Sequence, residues 1–117
     1  MKKKNALILG AVSIVLIIIA GLYFSQNTGY ADETSKILFF YSDNCDHCFN
    51  QKIVLSELAN EGFRIKPMNV DEHPEYFQQY NFTGTPIFIA QDGARKIGFT
   101  EKNELKTWLL LHGGKIG

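Results

Sequence analysis

The 117-residue chain has few cysteines and no excess of charge of either sign. It contains two cysteines, so no second cysteine pair exists to complete a four-ligand structural zinc site. Basic and acidic residues number 12 each, which gives no basic surplus of the kind that attracts nucleic acid. No internal repeat is visible, and the length leaves room for one domain. The chemistry of this domain therefore depends on the two cysteines.

The N-terminus carries an uncharged apolar run. Residues 6–24 contain no charged side chain and follow Lys2, Lys3 and Lys4. As a helix rising about 1.5 Å per residue, this run spans about 28 Å, close to the hydrocarbon thickness of a bilayer. The lysines place the N-terminus in the cytoplasm and the rest of the chain outside it. We predict a signal-anchor at residues 1–24, with the membrane crossed by residues 6–24, and a cell-membrane protein whose C-terminal domain lies outside the cytoplasm.

A cleaved signal peptide is the alternative for the same segment. Gly29 and Ala31 are small residues at the −3 and −1 positions of a possible cleavage site after Ala31, which would release the domain as a secreted protein. Signal peptides have apolar cores of about 7–15 residues, so the longer run here favours a retained anchor. No cysteine lies near the end of the run, so lipid attachment is not supported. Without the three N-terminal lysines, 9 basic residues face 12 acidic ones, a net charge of about −3.

The remaining sequence predicts a linker at residues 25–35 and a domain at residues 36–117. Residues 36–41 form an apolar, aromatic-rich run typical of a strand buried on both faces. Turn and capping residues at 42–44 then predict a helix that begins at about Cys45 and ends at Asn60 to Gly62. The apolar positions of this helix, near helical spacing, are Phe49, Ile53, Leu55, Leu58 and Ala59.

The second half of the domain predicts three more strands and two more helices. Strands are expected at residues 63–70, 86–90 and 94–99, and a short helix at residues 75–80. Thr100 is expected to cap a last helix in which Leu105, Trp108, Leu109 and His112 fall at i, i+3, i+4 and i+7. The predicted order is β-α-β-α-β-β-α, an α/β domain.

Cys45 and Cys48 form a Cys-Asp-His-Cys motif that three kinds of site could use. A disulfide between them closes a very small loop, so a purely structural bridge would add little stability. A soft metal site built with His47 is the second possibility, although His73 and His112 are distant in sequence. A redox pair is the third, because a cysteine at the start of a helix meets free backbone N–H groups that favour an anionic sulfur.

These residues resemble the thioredoxin-like superfamily. The resemblance rests on a strand ending in Phe-Phe-Tyr-Ser, on Cys45-Asp46-His47-Cys48 opening a helix, and on Gly84-Thr85-Pro86 before a later strand. It covers residues 36–112 and implies a thioredoxin-like fold with a central mixed four-stranded sheet behind one transmembrane helix. The leading strand and helix of full thioredoxins are not found, so the chain resembles the compact, glutaredoxin-sized core.

The resemblance implies a thiol–disulfide oxidoreductase that needs no cofactor and no metal. Cys45 would be the nucleophile and the more buried Cys48 the resolving thiol. Pro86 would be the cis-proline and Thr85 would pair with an extended substrate segment. His47 would stabilise a thiolate on Cys45 while Asp46 would oppose it. The expected partners are protein thiols and disulfides together with a membrane redox partner, and nucleic acid is not expected.

Departures from the family pattern leave the direction of electron flow open. Phe39 occupies the position of the buried aspartate of thioredoxins, six residues before the first cysteine. Thr85 and Gly98-Phe99 replace the residues with which glutaredoxins bind glutathione. A copper chaperone using the same cysteines and a non-catalytic adaptor on a membrane complex are the alternative functions.

Overall fold

The computed structural model describes residues 29–115, which form a mixed four-stranded sheet with helices on both faces. The strand order is β2-β1-β3-β4, with β1 and β2 parallel and the other neighbours antiparallel. The predicted element order is confirmed. In chain order the elements are β1 (Leu38–Tyr41), α1 (Asp46–Ala59), β2 (Lys66–Asn69), α2 (Tyr76–Gln79), β3 (Ile87–Ile89), β4 (Arg95–Ile97) and α3 (Lys102–Leu111).

Strand β1 is buried on both faces, as its sequence predicts. Phe39 and Phe40 are both fully buried, and because successive side chains of a strand alternate they enter different clusters. Phe40 packs in a second cluster and contacts the rings of Tyr76 and Tyr80, and the partly buried Phe77 of α2 packs against the same cluster. These three rings therefore pack in the core. The cluster around Phe39 joins the sheet to α1 and α3 through Leu55, Leu58, Phe88, Leu105 and Leu109.

The second half of the predicted linker, from Tyr30 onward, packs against the domain. Tyr30 is only 7% exposed, and burial raises the pKa of its hydroxyl. The Ile65 N–H donates to the Tyr30 carbonyl at 2.8 Å, and the Asp32 N–H donates to the Ile65 carbonyl at 2.8 Å. The packed part of the chain therefore begins before residue 36. The polar composition of residues 25–35, which predicts a linker, gives no sign that the Tyr30 ring is buried.

The predicted transmembrane segment at residues 6–24 lies outside the described residues. Within residues 29–115 no helix has the length and apolar character needed to cross a bilayer.

Helix α1 buries a different face from the one its apolar residues indicate. Phe49 is 67% exposed and Ile53 is 49% exposed, whereas Leu55 and Leu58, which belong to the same set of apolar positions, are buried. The buried positions follow the spacing i, i+3, i+7 and i+10. A hydropathy pattern misses this face because a cysteine and an amide occupy half of it. Its residues are Cys48, Gln51, Leu55 and Leu58.

The ends of the two long helices differ in how well the sequence predicts them. Gly62 has a left-handed φ of +93° just beyond α1, which fits the predicted stop. Thr100 does not cap α3, because Glu101 is the N-cap residue and its side chain makes no capping bond. Thr100 is instead 3% exposed, with its backbone facing α1.

Candidate redox site

Cys45 and Cys48 are joined by a disulfide at the start of α1. Cys45 is the N-cap residue, and the Cys48 N–H donates to the Cys45 sulfur at 3.1 Å. The capping role predicted for residues 42–44 is therefore taken by the cysteine itself. A sulfur in this position receives a backbone N–H and the positive end of the helix dipole, which stabilise a thiolate after reduction.

The two sulfurs differ in their access to solvent. Cys45 is half-buried, whereas Cys48 is fully buried against the helix. A substrate can therefore reach Cys45 from solvent, whereas Cys48 is closed to solvent. This asymmetry is the one needed if one cysteine attacks a partner and the other acts second.

A proline loop lies directly beside the disulfide. The Thr85–Pro86 peptide bond is cis, as the resemblance implies, and Pro86 is buried. The Thr85 carbonyl oxygen lies 3.6 Å from the Cys45 sulfur. A groove of about 360 Å³ borders this loop, and its lining includes Phe82, Thr85, Pro86, Arg95 and Ile97. Thr85 therefore both lines this groove and lies beside the Cys45 sulfur.

The loop that leads into the disulfide is held by Asp71, which lies just after the end of β2. The carboxylate of Asp71 accepts hydrogen bonds from the Ser42 hydroxyl at 2.8 Å and from the Asp43 N–H at 2.8 Å. These bonds, the Asp43 N–H first and the Ser42 hydroxyl second, lower the pKa of Asp71. Asn69 adds a contact from its side-chain amide to the Asp43 carboxylate at 3.3 Å. The approach of the chain to Cys45 therefore depends on a carboxylate 26 residues further along.

Asp46 and His47 are exposed on the first turn of α1. Their proposed influence on the Cys45 thiolate remains a prediction. Phe39, at the position of the family's buried aspartate, is fully buried among apolar side chains and pairs across the sheet with Pro67. No carboxylate therefore lies at that position to exchange a proton with Cys48.

The remaining histidines are engaged far from the two cysteines in the sequence. His73 Nδ1 lies 2.9 Å from Glu75 Oε1, and His112 Nδ1 lies 2.6 Å from Asp92 Oδ2. In the part of the chain from residue 29 to residue 115, no three histidine, cysteine or carboxylate side chains are grouped closely enough to hold a metal ion.

Two residues of the site are missed by sequence reasoning. Asp71 has the sequence of a solvated turn, and only the parallel pairing of β1 with β2 brings it to the loop before Cys45. Gln51 looks like an ordinary polar helix residue. Its spacing of three from Cys48 is the one available signal, because residues at i and i+3 share a helix face.

Comparisons with known proteins agree with this geometry. No family model matches the chain. A thioredoxin of Methanocaldococcus jannaschii is 32% identical over 73 residues, which cover 60% of this chain and 86% of that protein. The structure of a point mutant of thioredoxin from Halobacterium salinarum matches with a TM-score of 0.59 at 20% identity, over 73% of this chain and 80% of the other.

A thioredoxin-like protein of uncharacterised function from Clostridium perfringens matches with a TM-score of 0.58 at 21% identity, over 69% of this chain and 72% of that one. At these identities the two structures bear on the fold alone. The thioredoxin of Methanocaldococcus jannaschii, at 32% identity, bears on family membership. Together with the disulfide-bonded Cys-x-x-Cys at the helix start, they identify this chain as a member of the thioredoxin-like superfamily.

Proposed function

We propose that this chain is a membrane-anchored thiol–disulfide oxidoreductase that exchanges disulfides with proteins outside the cytoplasm. The observation that carries the proposal is the position of the disulfide. Its outer sulfur caps a helix and lies 3.6 Å from the carbonyl of Thr85, a residue that lines an open groove, while its inner sulfur is buried. A bridge that served only to hold the fold together would need none of these features.

The reaction proceeds through two exchanges of thiolate for disulfide. The Cys45 thiolate attacks one sulfur of a substrate disulfide, which forms a mixed disulfide and releases the other substrate sulfur as a thiolate. The Cys48 thiolate then attacks the Cys45 sulfur, which forms the Cys45–Cys48 disulfide and releases the second substrate thiolate. The substrate gains two electrons and the cysteine pair loses two. Run in reverse, the same steps oxidise a substrate dithiol.

The place of the proline loop in the fold supports a substrate-binding role for it. Thr85 and Pro86 precede β3, and an extended segment of a partner protein can pair with the Thr85 backbone in the manner of an added strand. A groove of this kind favours unfolded or loop segments of proteins over compact small molecules.

Retention of the anchor is supported by the packing of Tyr30. Cleavage after Ala31 would remove a ring that is only 7% exposed, together with the carbonyl that accepts from Ile65. The mature domain would lose part of its core, so we place the domain on the outer surface of the membrane with residues 6–24 as its span. A domain held there needs a membrane partner to return electrons to the pair or to remove them.

The test uses the full-length chain in detergent, with insulin as the protein disulfide and dithiothreitol as the reductant. Cys45→Ser should abolish the reduction of insulin. Cys48→Ser should retain the first exchange and accumulate a mixed disulfide with insulin. If Cys45→Ser reduces insulin at the wild-type rate, the proposal is wrong.

The reduction potential of the pair assigns the direction of electron flow. A value of about −270 mV, typical of thioredoxin, would make the protein a reductant, and a value of about −120 mV would make it an oxidant. Equilibration with glutathione or dithiothreitol buffers, followed by alkylation of the free thiols, measures this potential.

A further inference from the structure

We propose that Gln51 is a positioning residue that fixes the distance between the disulfide helix and the proline loop. Its side chain is fully buried in α1. Its Oε1 accepts from the Thr100 N–H at 2.8 Å, and its Nε2 donates to the Thr100 carbonyl at 3.1 Å. The inference rests on the proposed function, since it assigns a role to Gln51 in the recognition of protein substrates.

The pairing accounts for an amide at a position where an apolar residue would be expected. Thr100 is 3% exposed and lies between the end of β4 and the start of α3, where neither a strand nor a helix pairs its backbone. A buried N–H and a buried carbonyl without partners would each carry a desolvation cost. The Gln51 carboxamide satisfies both groups at once, as a neighbouring strand would do.

This pairing lies on a path that begins and ends at the disulfide. Gln51 follows Cys48 by three residues on one face of α1. At the other end, the Thr100 hydroxyl donates to the Gly98 carbonyl at 3.3 Å, and the Gly98 N–H donates to the Pro86 carbonyl at 2.9 Å. Pro86 follows Thr85, whose carbonyl lies beside Cys45. The path therefore joins the helix that carries the sulfurs to the loop that flanks them.

The conformation of Gly98 makes the path dependent on this residue. Gly98 has a φ of +80°, a left-handed value that other residues adopt only with strain, and a Cβ built there would meet no atom within 4 Å. Glycine is therefore required here because of the left-handed backbone conformation, and not because a side chain would lack space. The segment 98–100 holds an unusual turn, and its two ends are fixed by Pro86 and by Gln51.

The consequence is selective for large substrates. A protein segment must contact the proline loop and present its sulfur to Cys45 at the same time, so its reaction depends on the spacing that Gln51 maintains. A small disulfide needs only the Cys45 sulfur. A displacement of the loop by about 1 Å can reduce the rate of a positioned reaction by one to two orders of magnitude.

The test compares Gln51→Met with Leu58→Val in the full-length chain in detergent. Leu58 is fully buried on the same helix, and its replacement removes no hydrogen bond. For Gln51→Met we expect kcat/KM with insulin to fall about tenfold, while the rate with a small aromatic disulfide changes less than about twofold. Leu58→Val should change neither rate. Equal losses for both substrates in Gln51→Met would reduce Gln51 to a stability role and overturn the inference.

A second measurement does not depend on activity. Loss of the pairing should speed hydrogen exchange at the Gly98 amide by about fivefold relative to Leu58→Val, because that amide donates to Pro86 at the far end of the path. Unchanged exchange at Gly98 would also overturn the inference.

A further variant covers the case in which Gln51→Met does not fold. Gly98→Ala strains the path from its other end and should reproduce the selective loss with insulin; equal rates with wild type would count against the path. If wild-type protein neither reduces insulin nor oxidises the thiols of a reduced protein, the proposed function is wrong, and the exchange of Gly98 still decides whether Gln51 fixes the loop.

Discussion

The burial of two aromatic residues is the opposite of what their sequence surroundings suggest, and substitutions at these positions test the structure directly. Tyr30 lies in a polar segment but is 7% exposed, whereas Phe49 lies on an amphipathic helix but is 67% exposed. We expect Tyr30→Ala to destabilise the domain much more than Phe49→Ala.

The expected magnitudes follow from burial. Truncating a buried aromatic ring to alanine costs about 3 kcal/mol or more, since it loses the transfer free energy of the ring and leaves a cavity. Tyr30 belongs to the same buried cluster as Ile37, Phe63 and Ile65, so the loss of its ring would leave a cavity in the core. For Phe49 little surface leaves the core, and alanine has the better helix propensity, so the change should stay within about 0.5 kcal/mol.

Urea unfolding of a soluble version that begins at Gln26 provides the assay. Trp108 is the one tryptophan of the chain and lies against Phe88, with ring centroids 6.2 Å apart, so its fluorescence reports the core. With an m-value of about 1.5 kcal/mol/M, Tyr30→Ala should lower the midpoint by about 2 M. Tyr30→Phe keeps the ring and should unfold near wild type. Equal midpoints for Tyr30→Ala and Phe49→Ala would refute the packing described above.

Three further substitutions test the site and its supports. Asp71→Asn should loosen the loop before Cys45 and slow the reduction of insulin severalfold. In the wild type, the amide resonance of Asp43 should report the titration of Asp71, with a pKa below 3.8, the ordinary value for an aspartate. Phe39→Asp places a carboxylate in an apolar cluster and should cost several kcal/mol at pH 7, a loss that lessens as acid neutralises the group and is measured by urea midpoints at pH 7 and pH 5. Asp92→Asn should lower the urea midpoint slightly, because it weakens the pair with His112 that joins the β3–β4 turn to the end of α3.

Each of these three predictions would be contradicted by a specific result. Because the pKa of Asp71 is lowered in the folded protein, its contribution is present at neutral pH and is lost as pH falls through that pKa; an Asp43 amide that titrates at or above 3.8 would contradict the hydrogen bonds described. For Phe39→Asp, stability that rises from pH 5 to pH 7 would mean that the carboxylate has found a partner. A more stable Asp92→Asn would show that the pair with His112 is unfavourable.

The fold follows from the sequence to a large extent, and for identifiable reasons. The run that ends in Phe39-Phe40-Tyr41 is apolar on both faces, so it predicts a central strand. Glycine in a left-handed conformation and proline before a strand mark the turns. Local features of this kind predict the element order and, through the resemblance, the disulfide and the cis bond at Pro86.

The parts that sequence reasoning misses are those that depend on distant contacts. Asp71 joins the site because β2 runs parallel to β1, and Thr100 is buried because an amide on α1 satisfies its backbone. Neither relation leaves a periodic signal, since each pairs a polar residue with a backbone group far along the chain. The burial of Tyr30 is similar, because it arises from a single bridge between Ala31 and Ile65.

The sequence by itself determined the redox-type motif, the element order and the uncharged run that predicts an anchor, because each is written in neighbouring residues. Only the tertiary structure decided which face of α1 is buried, which of the two cysteines is buried, and how close the proline loop lies to the disulfide. These outcomes depend on how α1 docks against α3 and the sheet. Docking buries Cys48 and Gln51 and leaves Phe49 exposed, and the hydropathy of these residues does not predict this pattern of burial.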